Sequence, residues 1–251
     1  MREPTVPPPL FHVKVCGVTT LADAVFAAEA GADAVGFNFV SGSPRWVDVA
    51  TAREAVAALP GGVLAIGVFA GMPAPEIMAI ARAVRLGAIQ LHGHLEGHGP
   101  AIDPPERCGE LTGLPVIRAV RLEADGLAAA RRWIAAAAAA GRVPEMLIVD
   151  AAVTGVAAAG VLGGTGTRVD WGAMGREPPL GIPLALAGGL TPDNVAAAIV
   201  ATGVAAVDTA SGVESSPGHK DPALVRAFVA AARAAFRASN QPCADRAKPL
   251  R

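Results

Sequence analysis

The stretch "HVKVCGVTTLADAVFAAEAGADAVGFNFV", His12 to Val40, holds one full period of the pattern that decides the fold. A short run of β-branched apolar residues ends at Cys16 and Gly17, an alanine-rich segment follows with apolar residues at helical spacing, and after Gly31 a second apolar run begins. Strand, helix and strand in that order describe a parallel pair with its crossover, because parallel neighbours cannot be joined by a tight hairpin. Working outward, the period recurs. Short apolar runs occupy 12–17, 34–40, 64–69, 88–92, 115–120, 145–150, 184–187 and 205–209, and helical spacing marks 20–30, 48–58, 74–86, 125–140, 192–202 and 219–236. Eight strands alternating with helices in 251 residues predict an α/β protein with a single (βα)8 TIM barrel, a fold of about 250 residues. An open doubly wound sheet is the competing arrangement, but no G-x-G-x-x-G follows the first strand. The helix after the fourth strand is the least defined, because "HLEGHGPAIDPPERCGELTG" is interrupted by glycines and prolines. The barrel is expected over 12–238, between a flexible extension at 1–11 and a flexible tail at 239–251.

Composition narrows the functional classes. A 52% hydrophobic content supplies a sizeable core, and a net charge of -1 from 21 basic and 22 acidic residues, without long runs of either sign, gives no footprint for nucleic acid or an anionic membrane. A small molecule is the expected partner. No uninterrupted apolar run approaches the ~18 residues of a membrane span, and "MREPTVPPPLF" at the start lacks the apolar segment of a secretory signal. The alanine run Ala135–Ala140 is short and bordered by Arg131, Arg132 and Arg142, as in a soluble helix. Three widely spaced cysteines, Cys16, Cys108 and Cys243, suggest neither a disulfide framework nor a Cys-x-x-Cys zinc site, and a reducing cytoplasm is expected. Barrel helices pair without an obvious signature, so monomer and homodimer are both open.

In such barrels chemistry collects at the carboxyl ends of the strands. Those ends carry Cys16, Arg45 in "SGSPRWV", His92 in "QLHG", Asp150, and the turns "AGGL" and "DTASG". Cys16 reads either as a core-filling thiol or as a group that handles a proton or a bond. Gly188 and Gly189 precede "TPDN", where Thr191 is suited to cap a helix and Pro192 to open it, and "TASGVE" (209–214) makes a second small-residue turn. Such turns let backbone N–H groups approach an anion closely, and phosphate sites after strands seven and eight recur in this fold; two ordinary glycine turns are the alternative. His92, His94 and His98 lie close together, but no carboxylate or cysteine stands at ligand spacing. No metal is expected, and His92 reads as a lumen residue near substrate.

Seven segments in order, "VKVCGVTTLADA", "GADAVGFNFVSGSPRWV", "IQLHG", "LIVD", "GGTGTRVDW", "LALAGGLTPDNV" and "VDTASGVESSPGHKD", make the sequence resemble the phosphoribosylanthranilate isomerase family from residue 13 to about 236. The resemblance implies a cofactor-free barrel of tryptophan biosynthesis that performs an Amadori rearrangement of a phosphorylated sugar substrate. By motif, Cys16 resembles the general base and Asp150 the general acid. Arg45 resembles the arginine that contacts the anthranilate or orients the acid, and Asp208 the carboxylate near the anthranilate amino group. Phosphate binding maps onto Gly188, Gly189, Ser211 and Gly212, and the mobile loop after strand six onto Gly163, Gly164, Thr165 and Gly166. Ala210 stands where many members carry serine, and Asn38, Gly42 and Trp46 also depart from the usual residues at the mouth.

The chemistry asks for the same two groups. Opening a sugar ring while moving a proton needs an acid on one face and a base on the other, with no redox cofactor. The acid must keep its proton near neutrality, and the thiol needs a cation or helix start beside it. A related isomerase acting on a different N-linked ribose phosphate, and a non-catalytic barrel that only binds a phosphosugar, are the alternative readings.

Overall fold

The computed structural model describes residues 6–95, 102–123, 125–151 and 171–239. Eight strands pair in parallel and in chain order: β1 (Val13–Cys16), β2 (Ala34–Asn38), β3 (Leu64–Phe69), β4 (Ala88–Leu91), β5 (Val116–Arg121), β6 (Met146–Asp150), β7 (Leu184–Ala187) and β8 (Ala206–Thr209). β8 closes on β1 with Lys14 opposite Asp208, completing the barrel. The crossovers carry α1 (Leu21–Glu29), α2 (Val49–Ala58), α3 (Ala74–Val84), α4 (Arg107–Glu110), α5 (Ala128–Ala139), α6 (Trp171–Gly175) and α7 (Val195–Thr202). After β8 come a 3-10 turn (Ser211–Val213), a small antiparallel pair β9 (Glu214–Ser216) and β10 (His219–Lys220), and the closing α8 (Pro222–Ser239).

Local chemistry sets these boundaries. The Thr20 hydroxyl accepts from Asp23 N at 3.1 Å and starts α1, and Asp48 does the same for α2 through Thr51 N at 2.9 Å. α3 stops at Arg85, which takes φ 65°, the left-handed conformation of a helix C-terminus. The region after β4, the least defined in the sequence, carries only the four-residue α4, in keeping with its glycines and prolines. Two expectations are corrected. Helix α7 begins at Val195, because Asn194 folds back, its Oδ1 accepting from Thr191 N at 2.8 Å, so Thr191 is capped by the turn instead of capping the helix. Residues 219–220 form β10, and α8 starts only at Pro222, where proline suits a first turn.

The apolar residues divide between two layers. Strand side chains alternate, so Val13, Val15, Val35, Phe37, Val149 and Val207 face the helices while their neighbours face the lumen. Phe11, Ala34, Ile66, Ala88, Ile117 and Met146 are among those that fill the amino-terminal part of that lumen. Phe11, inside the expected flexible extension, is only 2% exposed and packs there with Leu10 against it. Nearer the carboxyl end the lumen turns polar, which is where the period of two sends Lys14, Cys16, Gln90, Asp150 and Asp208. Among the described residues no helix is long and apolar enough to cross a membrane.

Candidate active site

Cys16 ends β1 half-buried, on the same face as Lys14 two residues before it. Both side chains converge over Gly36 of β2: a Cβ at that position would lie 2.7 Å from Cys16 Sγ and 3.2 Å from Lys14 Cε, so glycine there makes the room. The Lys14 ammonium is fully buried and donates to Asp208 Oδ2 at 2.9 Å. Burial pulls its pKa down, but the Asp208 carboxylate and Cys16 outweigh that, and the ammonium is held above its ordinary range. Asp208 Oδ1, also buried, has no hydrogen-bond partner among the described residues.

His92 follows β4 immediately. Its ring is solvent-accessible at the mouth yet sunk among strand ends, and that desolvation, with the nearby Lys14 ammonium, holds the imidazole below its usual range. His92 is therefore a neutral hydrogen-bonding group near neutrality, coupled electrostatically to Asp150 and Asp208. Asp150 ends β6, and together with His92, His94, Arg121, Glu123 and Arg132 it lines a cavity of about 590 Å³, within the usual range for a small-molecule site. Among the described residues no group of three or more His, Cys, Asp or Glu side chains is arranged to hold a metal; His98 lies outside them.

The two glycine turns meet. Gly188 and Gly189 take φ 95° and 65°, conformations that glycine adopts without penalty, and the Asn194 amide ties the turn by donating to Gly189 O at 3.0 Å. Thr209 Oγ1 donates to Leu190 O at 2.8 Å, and a Cβ on Gly212 would run into that same carbonyl. Ser211 and Gly212 are thus held directly against the turn that follows β7. Gly163, Gly164, Thr165 and Gly166 lie outside the described residues.

Arg45 is located beside Cys16, its stem crossing Gly17, and its guanidinium grips Glu214. Lys14, Glu214 and Lys220 are participants that reading the strand ends passes over. Lys14 was legible: a charge two residues before Cys16 on a strand shares its face. Glu214 and Lys220 depend on the β9–β10 pairing, which no local pattern announces. A second concealed cluster braces the wall. Asp103 accepts from Gly71 N at 2.9 Å and Gly93 N at 2.6 Å and pairs with the buried Arg118 at 3.3 Å, while Arg118 Nη2 donates to Gly93 O at 2.6 Å. Burial brings Arg118 down to about 10 despite the Asp103 charge. These bonds pin the backbone that carries His92.

Residues 13–231 match the family model described as N-(5'phosphoribosyl)anthranilate (PRA) isomerase. A Myxococcus xanthus protein named N-(5'-phosphoribosyl)anthranilate isomerase is 42% identical over 223 residues, 88% of this chain and 96% of its own, and one of the same name from Rubrobacter xylanophilus is 43% identical over 222 residues, 88% of this chain and 98% of its own. Among solved structures, phosphoribosyl anthranilate isomerase from Thermotoga maritima superposes with a TM-score of 0.74 at 33% identity, covering 89% of this chain and 99% of that one. A phosphoribosyl anthranilate isomerase in complex with reduced 1-(o-carboxyphenylamino)-1-deoxyribulose 5-phosphate superposes with a TM-score of 0.68 at 32% identity, covering 89% and 99%.

Proposed function

The chain belongs to the N-(5'-phosphoribosyl)anthranilate isomerase family, and from that premise we propose that Cys16 is the general base and Asp150 the general acid of its Amadori rearrangement. The reaction turns N-(5-phosphoribosyl)anthranilate into 1-(2-carboxyphenylamino)-1-deoxyribulose 5-phosphate. Asp150 gives its proton to the ring oxygen as the bond from that oxygen to C1 breaks, leaving an iminium at C1. The Cys16 thiolate removes the C2 proton, and the electron pair of that C–H bond neutralises the iminium as an enolamine. Tautomerisation then moves the C2 hydroxyl proton to C1, giving the aminoketone, and exchange with solvent takes the proton from Cys16 and returns one to Asp150, so atoms and electrons balance without any external oxidant or reductant.

One observation carries the reading: the lumen-facing ends of β1 and β6 present a thiol and a carboxyl around one barrel mouth, on strands separated by β7 and β8. The joined turns at Gly188, Gly189, Ser211 and Gly212 supply backbone donors for the 5-phosphate. Asp208 offers its unpartnered oxygen to the anthranilate amino group, His92 serves the sugar as a neutral donor or acceptor, and Arg45 takes the aglycone. The reading places the enzyme in a reducing cytoplasm, in keeping with a working thiol. The direct test follows anthranilate fluorescence while the purified protein acts on enzymatically generated phosphoribosylanthranilate. Turnover is expected without added metal or nucleotide; activity lost to a chelator and restored by zinc overturns the cofactor-free mechanism.

A further inference from the structure

Arg45 is held from a direction that the reaction does not require. Its Nε donates to Glu214 Oε1 at 2.8 Å and its Nη2 to Oε2 at 2.7 Å, a side-on fork that fixes the plane of the guanidinium. Glu214 Oε1 also accepts from Lys220 Nζ at 2.7 Å, and Lys220 donates in turn to Ala210 O at 3.1 Å, one residue before the Ser211–Gly212 turn. The Glu214 and Lys220 side chains are 4% and 1% exposed. Pairing of β9 with β10 sets Lys220 opposite Glu214, so the hairpin is what brings the second cation in.

Two features exceed what a structural ion pair needs. One arginine already neutralises one carboxylate, yet Lys220 is buried on the same carboxylate, and the cluster is left with a net positive charge at a mouth that must receive an anion. The fork also uses only two of the five guanidinium N–H groups, and among the described residues Nη1 makes no hydrogen bond. That edge faces away from Glu214. Because the stem crosses Gly17, directly after Cys16, the guanidinium is anchored next to the base. The base acts at sugar C2, adjacent to the C1 that bears the arylamine, whereas the phosphate sits at the other end of the sugar, on C5.

We propose that Glu214 and Lys220 are positioning residues for aglycone recognition: Glu214 fixes Arg45 so that its unengaged edge takes the carboxylate of the substrate's aromatic amine, and Lys220 keeps the cluster positive. This rests on the reading of Arg45 as the aglycone contact. An arginine held in advance loses little rotamer freedom when the carboxylate arrives, so the selectivity for a carboxylated arylamine depends on Glu214 as well as on Arg45.

The test compares kcat/KM for phosphoribosylanthranilate and for phosphoribosylaniline, the same substrate without the carboxylate, the analogue being made from ribose 5-phosphate and aniline. The wild-type protein is expected to prefer the carboxylated substrate, and Arg45→Ala to lose at least tenfold of that preference. The double variant E214Q/K220M, which removes the two buried charges together and leaves the net charge of the cluster unchanged, is expected to lose at least fivefold although Arg45 is intact. E214D, which keeps the charge but draws the carboxylate back by one methylene, should fall between wild type and the double variant, and it decides the matter if the double variant does not fold. A double variant, or failing that E214D, with wild-type preference while Arg45→Ala loses it overturns the positioning role and spares the Arg45 reading. Preference retained in Arg45→Ala removes both. Absence of turnover on either substrate by the wild-type protein removes the proposed function beneath them.

Discussion

In the proposed mechanism Cys16 and Asp150 bear the proton transfers, and their truncation separates chemistry from binding. Cys16→Ala and Asp150→Ala should each lower kcat by more than about a hundredfold, the lower end of what a positioned proton-transfer group contributes, with KM much less affected. A Cys16→Ala enzyme of normal turnover and lowered melting temperature would return the thiol to the core. The second described thiol behaves otherwise: burial pushes Cys108 up to about 11, so iodoacetamide at pH 8 should leave Cys108 unmodified in the native protein while the half-buried Cys16 reacts, as peptide mass mapping reads directly. Glu214 gives a pH signature. Burial pushes its carboxyl up, but the hydrogen bonds from Arg45 and Lys220 prevail and hold it below the ordinary 4.5. As the medium acidifies past that value the unfolded chain takes up this proton before the folded one does, so the stability Glu214 contributes is complete above about pH 4.5 and is lost below it. Denaturant titrations across pH 3 to 6 should therefore show a steeper acid limb for wild type than for Glu214→Gln, and parallel limbs would mean the carboxyl is not held this way.

Turns decide what the elements can bind. Gly189 has left-handed φ but open space around its missing side chain, so Gly189→Asp should fold with a modest loss of stability while a carboxylate against the bound anion weakens phosphosugar affinity at least tenfold. If melting temperature collapses and affinity in the folded fraction is unchanged, the turn is structural. The strands and the helix-bearing crossovers were legible because a barrel repeats one local rule: β3 spans Leu64–Phe69 and β7 Leu184–Ala187, where short apolar runs end in glycine or polar turns. The candidate site was legible wherever a polar side chain sits at a strand end, as Cys16, Asp150 and His92 do. Legibility failed where partners are distant in sequence or where a turn competes with a helix. Asp103 and Arg118 stand 15 residues apart on a loop and a strand and gain meaning only through Gly71, Gly93 and the Trp133 ring 5.0 Å from the guanidinium. At Thr191 a turn closed by the Asn194 side chain on the Thr191 backbone N–H precedes the helix, and at His219 the pairing with Ser216 wins over the amphipathic run that follows.

Across the whole molecule the barrel is closed by a charge as well as by a ladder. Lys14 and Asp208 face each other at the seam of β1 and β8, both buried, the first and last strands of the sheet contributing one group each. Breaking a buried pair by removing one partner typically costs about 3–5 kcal/mol, since the other charge is left without compensation. Lys14→Met should accordingly lower the urea midpoint of unfolding sharply, and K14M/D208N should recover much of the loss while remaining slow in turnover, because Asp208 also serves the substrate in the proposed mechanism. A double variant no more stable than Lys14→Met alone would show that the seam depends on Lys14 for packing and not for charge. The pair has a meaning during synthesis too. Lys14 leaves the ribosome 194 residues before its counter-ion, and any incomplete sheet that curled shut in the interval would have to dehydrate a lone ammonium. A sheet of fewer than eight strands therefore gains less by closing, because the charge that compensates Lys14 arrives only with the last strand.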